Sequence, residues 1–109
     1  MKKLVTIDVG AEFSRIPAGR FHSDGDSNAE AFFIHILDGL LSEGECVNLE
    51  FHNVLQAGSV FLHHLTGLLV NYGYDSKVCI TKDDEWEYTG TRWDKYMKYH
   101  KGNRGWNYE

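Results

Sequence analysis

The amino-acid sequence predicts a two-layer α/β domain, a small mixed sheet with helices packed mainly on one face. Three observations lead there. Residues 3–9, 45–51 and 77–81 alternate apolar and polar side chains with the period of two that a half-buried strand requires. Residues 28–42 and 59–72 instead repeat apolar residues at helical spacing. The strands also lack the continuous apolar runs of a parallel sheet covered on both faces, so one sheet face is expected to stay polar.

In chain order, the first strand sets Val5, Ile7 and Val9 against Leu4, Thr6 and Asp8. Residues 11–19 read as an edge segment through Phe13 and Ile16, broken by Pro17 and Gly19. Residues 20–28, RFHSDGDSN, are polar and turn-rich, a loop. Ser27-Asn28-Ala29-Glu30 fits a capping box that opens a helix. That helix sets Ala29, Phe32, Phe33, Ile36, Leu37, Leu40 and Leu41 inward, with Asn28, His35, Asp38 and Ser42 outward, and ends near Gly44.

The second strand points Val47, Leu49 and Phe51 to the core. A tight turn, Ala57-Gly58-Ser59, follows, with Ser59 capping a helix whose apolar side is Phe61, Leu62, Leu65, Leu68, Leu69 and Tyr72. Gly73 stops it. After the third strand, residues 82–84 read as a turn and 85–89 as a short strand with Trp86 and Tyr88 on one side. A last helix over 91–100 stacks Trp93, Tyr96, Met97 and His100, and 102–109 is Gly- and Asn-rich and loose. Residues 1–91 thus form the domain, and 92–109 a basic, aromatic C-terminal helix and tail that belongs to it.

At 109 residues the chain is one domain with one core, and a single proline among 42% hydrophobic residues excludes disorder over most of it. The net charge of −5 is uneven: residues 92–109 carry five cations against two carboxylates, which leaves −8 on the remainder. An acidic body argues against a dedicated nucleic-acid binder, although the basic aromatic tail has the composition to stack on single strands. Cys46 and Cys79 lack CxxC spacing and read as free, buried thiols. No signal peptide follows Met1, and no apolar run approaches the ~20 residues that span a bilayer, so a cytoplasmic protein is expected.

Chemistry-bearing motifs are few. His63 and His64 point about 100° apart on a helix, unsuited to sharing a metal, and the other histidines show no ligand spacing. Asp24-Gly25-Asp26 resembles part of a calcium loop but lacks the terminal Glu, and turn formation accounts for it. No nucleotide-binding Gly-rich motif and no nucleophile elbow is present. No catalytic residue, metal or cofactor is therefore expected. Binding residues are better marked. The Gly58-Ser59 turn leaves backbone N–H groups for an anion or a partner, with His63 one turn further on. Arg20 and Asp24 sit in the adjacent loop, where Arg20 either holds a carboxylate or phosphate or pins the loop to an acidic side chain.

These residues resemble a known family. Pro17-Ala18-Gly19-Arg20, Ser23-Asp24-Gly25 and Ser27-Asn28-Ala29-Glu30-Ala31-Phe32 resemble the N-terminal half of the STAS-like domain family of unknown function. Val47 to Phe51, Gly58-Ser59-Val60-Phe61-Leu62 and Gly67-Leu68-Leu69 resemble its second half, so the likeness spans about residues 4–81. It implies the fold of STAS domains such as the anti-sigma-factor antagonists of bacterial signalling. In the antagonists, Asp-Ser-Ser-Gly opens a helix and a histidine-kinase-like ATPase phosphorylates a serine there, which places Ser59 at or beside the modified position. The sequence departs from these relatives: Gly58 stands for the Asp, Val60 for the second Ser, His63-His64 for acidic residues and Asn28 for a common Gly. Either the partner surface is retuned or the switch is absent.

The expected function is a non-catalytic regulatory module that binds a protein partner, a histidine-kinase-like ATPase, through the Gly58-Ser59 turn and the following helix, under control of Ser59 phosphorylation. The alternative is a domain that binds a nucleotide or other small anion on the N–H groups after Gly58 with help from Arg20.

Overall fold

The structure, a computed structural model, describes residues 4–81 and 87–102. The elements in order are β1 (Leu4–Asp8), α1 (Val9–Glu12), α2 (Ala29–Phe32), α3 (Asp38–Ser42), β2 (Cys46–Glu50), α4 (Ser59–Asn71), β3 (Val78–Ile80) and α5 (Glu87–Gly102). A π-helical stretch, Phe33–Leu37, joins α2 to α3 without a break. The described strands lie in the order β1-β2-β3. All of them run parallel, with Leu4 opposite Cys46 and Val47 opposite Val78. Two right-handed crossovers that step the same way across a sheet put both connecting helices on one face. Burial agrees: Ile7, Val47, Leu49, Val78 and Ile80 face a core completed by Phe32, Leu37, Leu41, Phe61, Leu65 and Leu69.

The two-layer α/β class therefore holds, with a sheet that is parallel throughout its described strands. Alternation reports that one sheet face is polar and says nothing about strand direction. On that polar face Asn48 Nδ2 donates to Thr81 Oγ1 at 2.8 Å, and Cys79 Sγ lies 3.5 Å from Asn48 Oδ1. Both cysteines are free, as expected, but they sit on this face; Cys79 is exposed and Cys46 half-buried rather than in the core.

Other local expectations shift for identifiable reasons. The edge segment predicted at 11–19 is instead α1 followed by a loop. Asp8 caps α1, accepting from Ala11 N at 3.0 Å, while Glu12 Oε2 accepts from Asp8 N at 2.8 Å. A reciprocal cap this close to the strand turns the chain before an edge pairing can form. The chain can turn there because Gly10 lies against the next crossover: a Cβ on it would stand 2.2 Å from the Asn53 carbonyl oxygen.

The long helix starts one residue later than the capping box implied. Asn28, not Ser27, is the cap, because its amide serves two groups: Oδ1 accepts from Ala31 N at 2.7 Å and Nδ2 donates to Gly25 O at 2.6 Å. Asn28, placed outward by the helical pattern, is thus almost fully buried. Ser27 Oγ is engaged with Ser14 Oγ instead. Gly44 and Gly73 take positive φ where the helices stop. Tyr72, assigned to the apolar side of α4, forms its exposed C-cap, while Thr66 and Val70 are buried in its place.

The predicted turn at 82–84 lies outside the described residues, as does the loose segment after Gly102. Residues 87–89 of the predicted short strand belong to α5, which starts earlier than its apolar spacing indicated. Trp93 and Met97 from α5 join the same core, and Tyr96 packs against it. Among the described residues no helix is long and apolar enough to cross a membrane.

Replacing Asn28 by Ala removes a buried cap and strands the Gly25 carbonyl. Urea unfolding of Asn28→Ala is expected to give a loss of about 2 kcal/mol, whereas Ser27→Ala at the half-buried neighbour is expected to lose less than half of that.

Candidate functional site

Sequence pattern divides α4 into pairs. Phe61-Leu62, Leu65-Thr66 and Leu69-Val70 are buried in the core. The intervening pairs Ser59-Val60, His63-His64 and Gly67-Leu68, with Asn71, line an open cleft of about 510 Å³. Because 3.6 residues make a turn, pairs four apart stay on one face, so the helix is split lengthwise into a core side and a cleft side. Tyr96 and His100 of α5 and Arg20 complete the lining.

One loop sets the upper end of this cleft. Pro17 O accepts from Gly58 N at 3.0 Å, and Arg15 O accepts from Leu55 N at 2.6 Å. Two residues on, Gly19 O and Arg20 O accept from Ala29 N and Glu30 N, the first free donors of α2. The same stretch thus ties down the starts of both α2 and α4. Arg20 is held by its backbone on two sides, since its N–H also donates to Asp24 Oδ2 at 3.0 Å. Its exposed side chain has no carboxylate within ion-pair distance among the described residues, so the acidic side chain of Asp24 pins the loop through the backbone N–H of Arg20 and not through its guanidinium.

The expected tight turn at 57–59 is in fact an eight-residue connection from strand to helix, and Ser59 does not cap it. Gly58 is the N-cap, extended at φ −69 and ψ 141, and Ser59 is the first helical residue, exposed. Gly58 has no side chain to accept from the first N–H groups of α4, so its N-cap position gives them no side-chain hydrogen bond. Its own N–H, expected to point outward, is spent on Pro17. Of the five residues singled out from sequence, Arg20, Ser59 and His63 meet in the cleft. Gly58 lies behind it. Asp24 is a loop brace, accepting from Arg20 N and Phe21 N, and those two donors hold its carboxyl below the usual aspartate value.

Tyr96 and His100 were not singled out as site residues, although their i, i+4 spacing puts them on one side of α5. The ring of His63 lies 4.8 Å from that of Tyr96 and 4.6 Å from that of His100. His100 Nε2 is 2.9 Å from the His63 carbonyl oxygen, which can only accept, so Nε2 carries the proton in the neutral ring. Gly67 makes this approach close: a Cβ there would meet the His100 ring at 3.0 Å. His64 meets the Phe21 ring edge-on at 4.9 Å, and its Nε2 is buried without a hydrogen-bond partner among the described residues.

Burial lowers the pKa of both His64 and His100 below the ordinary histidine value of 6.5. For His64 the charges of Arg20 and His63 act in the same direction, against Glu30 and Asp24. For His100 the bond to the His63 carbonyl opposes the shift. Among the described residues no group of three or more His, Cys, Asp or Glu could hold a metal ion. The arrangement offers a cation, uncapped helix N–H groups, a hydroxyl and a set of rings, which suits binding. Compared with protein-family models, curated proteins and solved structures, the chain matches none at a significant level.

The two lowered histidines fix a pH dependence. As pH falls through 6.5 the unfolded chain takes up protons that the folded chain resists, so stability is full above that value and declines below it. Urea midpoints are expected to drop between pH 7 and 5, and the His64→Gln/His100→Gln double variant to lose much of that slope.

Proposed function

We propose that the chain is a non-catalytic regulatory module that docks on a protein partner through the start of α4 and the two loops stitched to it. The observation that carries this reading is the surface around Ser59. Ile16 is 55% exposed, Phe21 46%, Leu55 68% and Val60 45%. These four large apolar side chains come from the segments that meet at the α4 N-terminus, where the Arg15 and Pro17 carbonyls bond to residues 55–58 and Phe21 leans on His64. Apolar residues gathered around exposed polar ones are the composition of a docking patch.

The resemblance to STAS-like domains names the partner class, an ATPase of the histidine-kinase type, and gives Ser59 its regulatory role. Ser59 is exposed and its hydroxyl is not used to cap α4, so a kinase could reach it. A phosphate there would add about −1.5 to −2 charge beside Arg20 and the uncapped helix start, and would alter the patch without unfolding it. The cytoplasm is the compartment this reading requires.

Affinity capture from the native host, with wild type, Ser59→Glu and Leu55→Asp compared, tests the proposal. An ATPase of that type is expected with the wild type, and Leu55→Asp is expected to weaken its binding by about tenfold or more. Loss or gain of the same protein with Ser59→Glu would support the switch. Equal capture by wild type and Leu55→Asp would remove the patch from the interface.

A further inference from the structure

We propose that the cleft along α4 binds a small organic anion that carries a planar ring, the class that includes nucleoside monophosphates and aryl phosphates. This does not rest on the docking reading, because it concerns the chain by itself.

Size comes first. A volume of about 510 Å³ is that of a small-molecule site. Charge comes second. The chain has sixteen Asp and Glu among 109 residues, yet among the described residues no carboxylate lines the cleft. Asp24 and Glu30 are near enough to act on His64, but Asp24 is occupied with the loop backbone and neither reaches the lining. Among the described residues, the one lining side chain with a permanent charge is Arg20. An acidic protein whose cleft has no carboxylate among its described lining residues and has an arginine on it favours an anion there.

The two ends of the cleft differ, and that difference selects the ligand. At one end are the Arg20 guanidinium, the Ser59 hydroxyl and the first N–H groups of α4, which lack a side-chain cap. These are donors that suit phosphate or carboxylate oxygens. One to two turns along, about 5–11 Å, the surface changes to rings. His63, Tyr96 and His100 cluster there, with Tyr96 Oη held by Arg92 Nη1 at 3.3 Å. A planar ring can stack on such a cluster. An inorganic anion would occupy only the first end, and an uncharged ring only the second. A ligand with both parts spans them.

Titration calorimetry of the full chain with adenosine monophosphate, phenyl phosphate, adenosine and inorganic phosphate tests this, read together with NMR of the histidine side chains. At least one of the two ring-bearing phosphates is expected to bind with a Kd of about 1 mM or tighter. Adenosine and inorganic phosphate are each expected to bind about tenfold more weakly or not at all. The His63 and His100 resonances should move, and those of His35 and His52, which do not line the cleft, should stay. Arg20→Met, at an exposed side chain, and Tyr96→Leu are each expected to reduce affinity about tenfold while near-UV circular dichroism shows a folded chain. Three results would each overturn the proposal. The ring-bearing phosphates both stay silent at millimolar concentration, inorganic phosphate binds as tightly as they do, or binding is unchanged in Arg20→Met.

Discussion

The structure depends on how α4 is surrounded. Its Phe61 meets Phe32 of α2 and its Phe61, Leu65 and Leu69 row joins Leu49 of the sheet in one core, while it meets α5 along a second line through Gly67. A helix buried on this much of its circumference must be apolar there and must satisfy its polar groups internally. Thr66 does so by donating its hydroxyl to the Leu62 carbonyl at 2.9 Å. What remains is one lengthwise stripe. The anion-binding reading concerns that stripe, and the docking reading its N-terminal end together with the loops stitched to it.

A second constraint is that two helix starts share one loop. Backbone N–H groups at a helix N-terminus need acceptors, and residues 15–20 supply carbonyls to the approach to α4 and to the start of α2. Arg20 stands beside Ser59 as a by-product of that accounting. The residue pairs most relevant to binding are therefore positioned by main-chain bonds, and a side-chain substitution at either one can change the surface while the scaffold stays put.

Much of the fold was legible in the residues. Val47, Leu49 and Phe51 announced a half-buried strand, and the paired pattern in α4 separated its core from His63. Strand direction was hidden, since a one-sided parallel sheet alternates like an antiparallel one. So was the stitching of residues 15–17 to 55–58, which is made of backbone groups that every sequence possesses. The exchange of Ser27 for Asn28 as the cap turned on a second hydrogen bond, to Gly25 O, that only the folded loop offers. In the cleft, Arg20, Ser59 and His63 could be named in advance, whereas the meeting of His63 with Tyr96 and His100 needed the crossing of α4 and α5, which spacing on either helix alone does not set.

The register of β1 bears on how the protein is made. Among the described residues Leu4 to Asp8 pair with Cys46 to Glu50, so during synthesis β1 emerges well before the strand it joins. During that interval Val5, Ile7 and Val9 form a short β-prone segment with open edges, while α2 and α3 can already form from local contacts. A pause in translation through residues 10–50 lengthens the time that this nascent strand can pair with another chain.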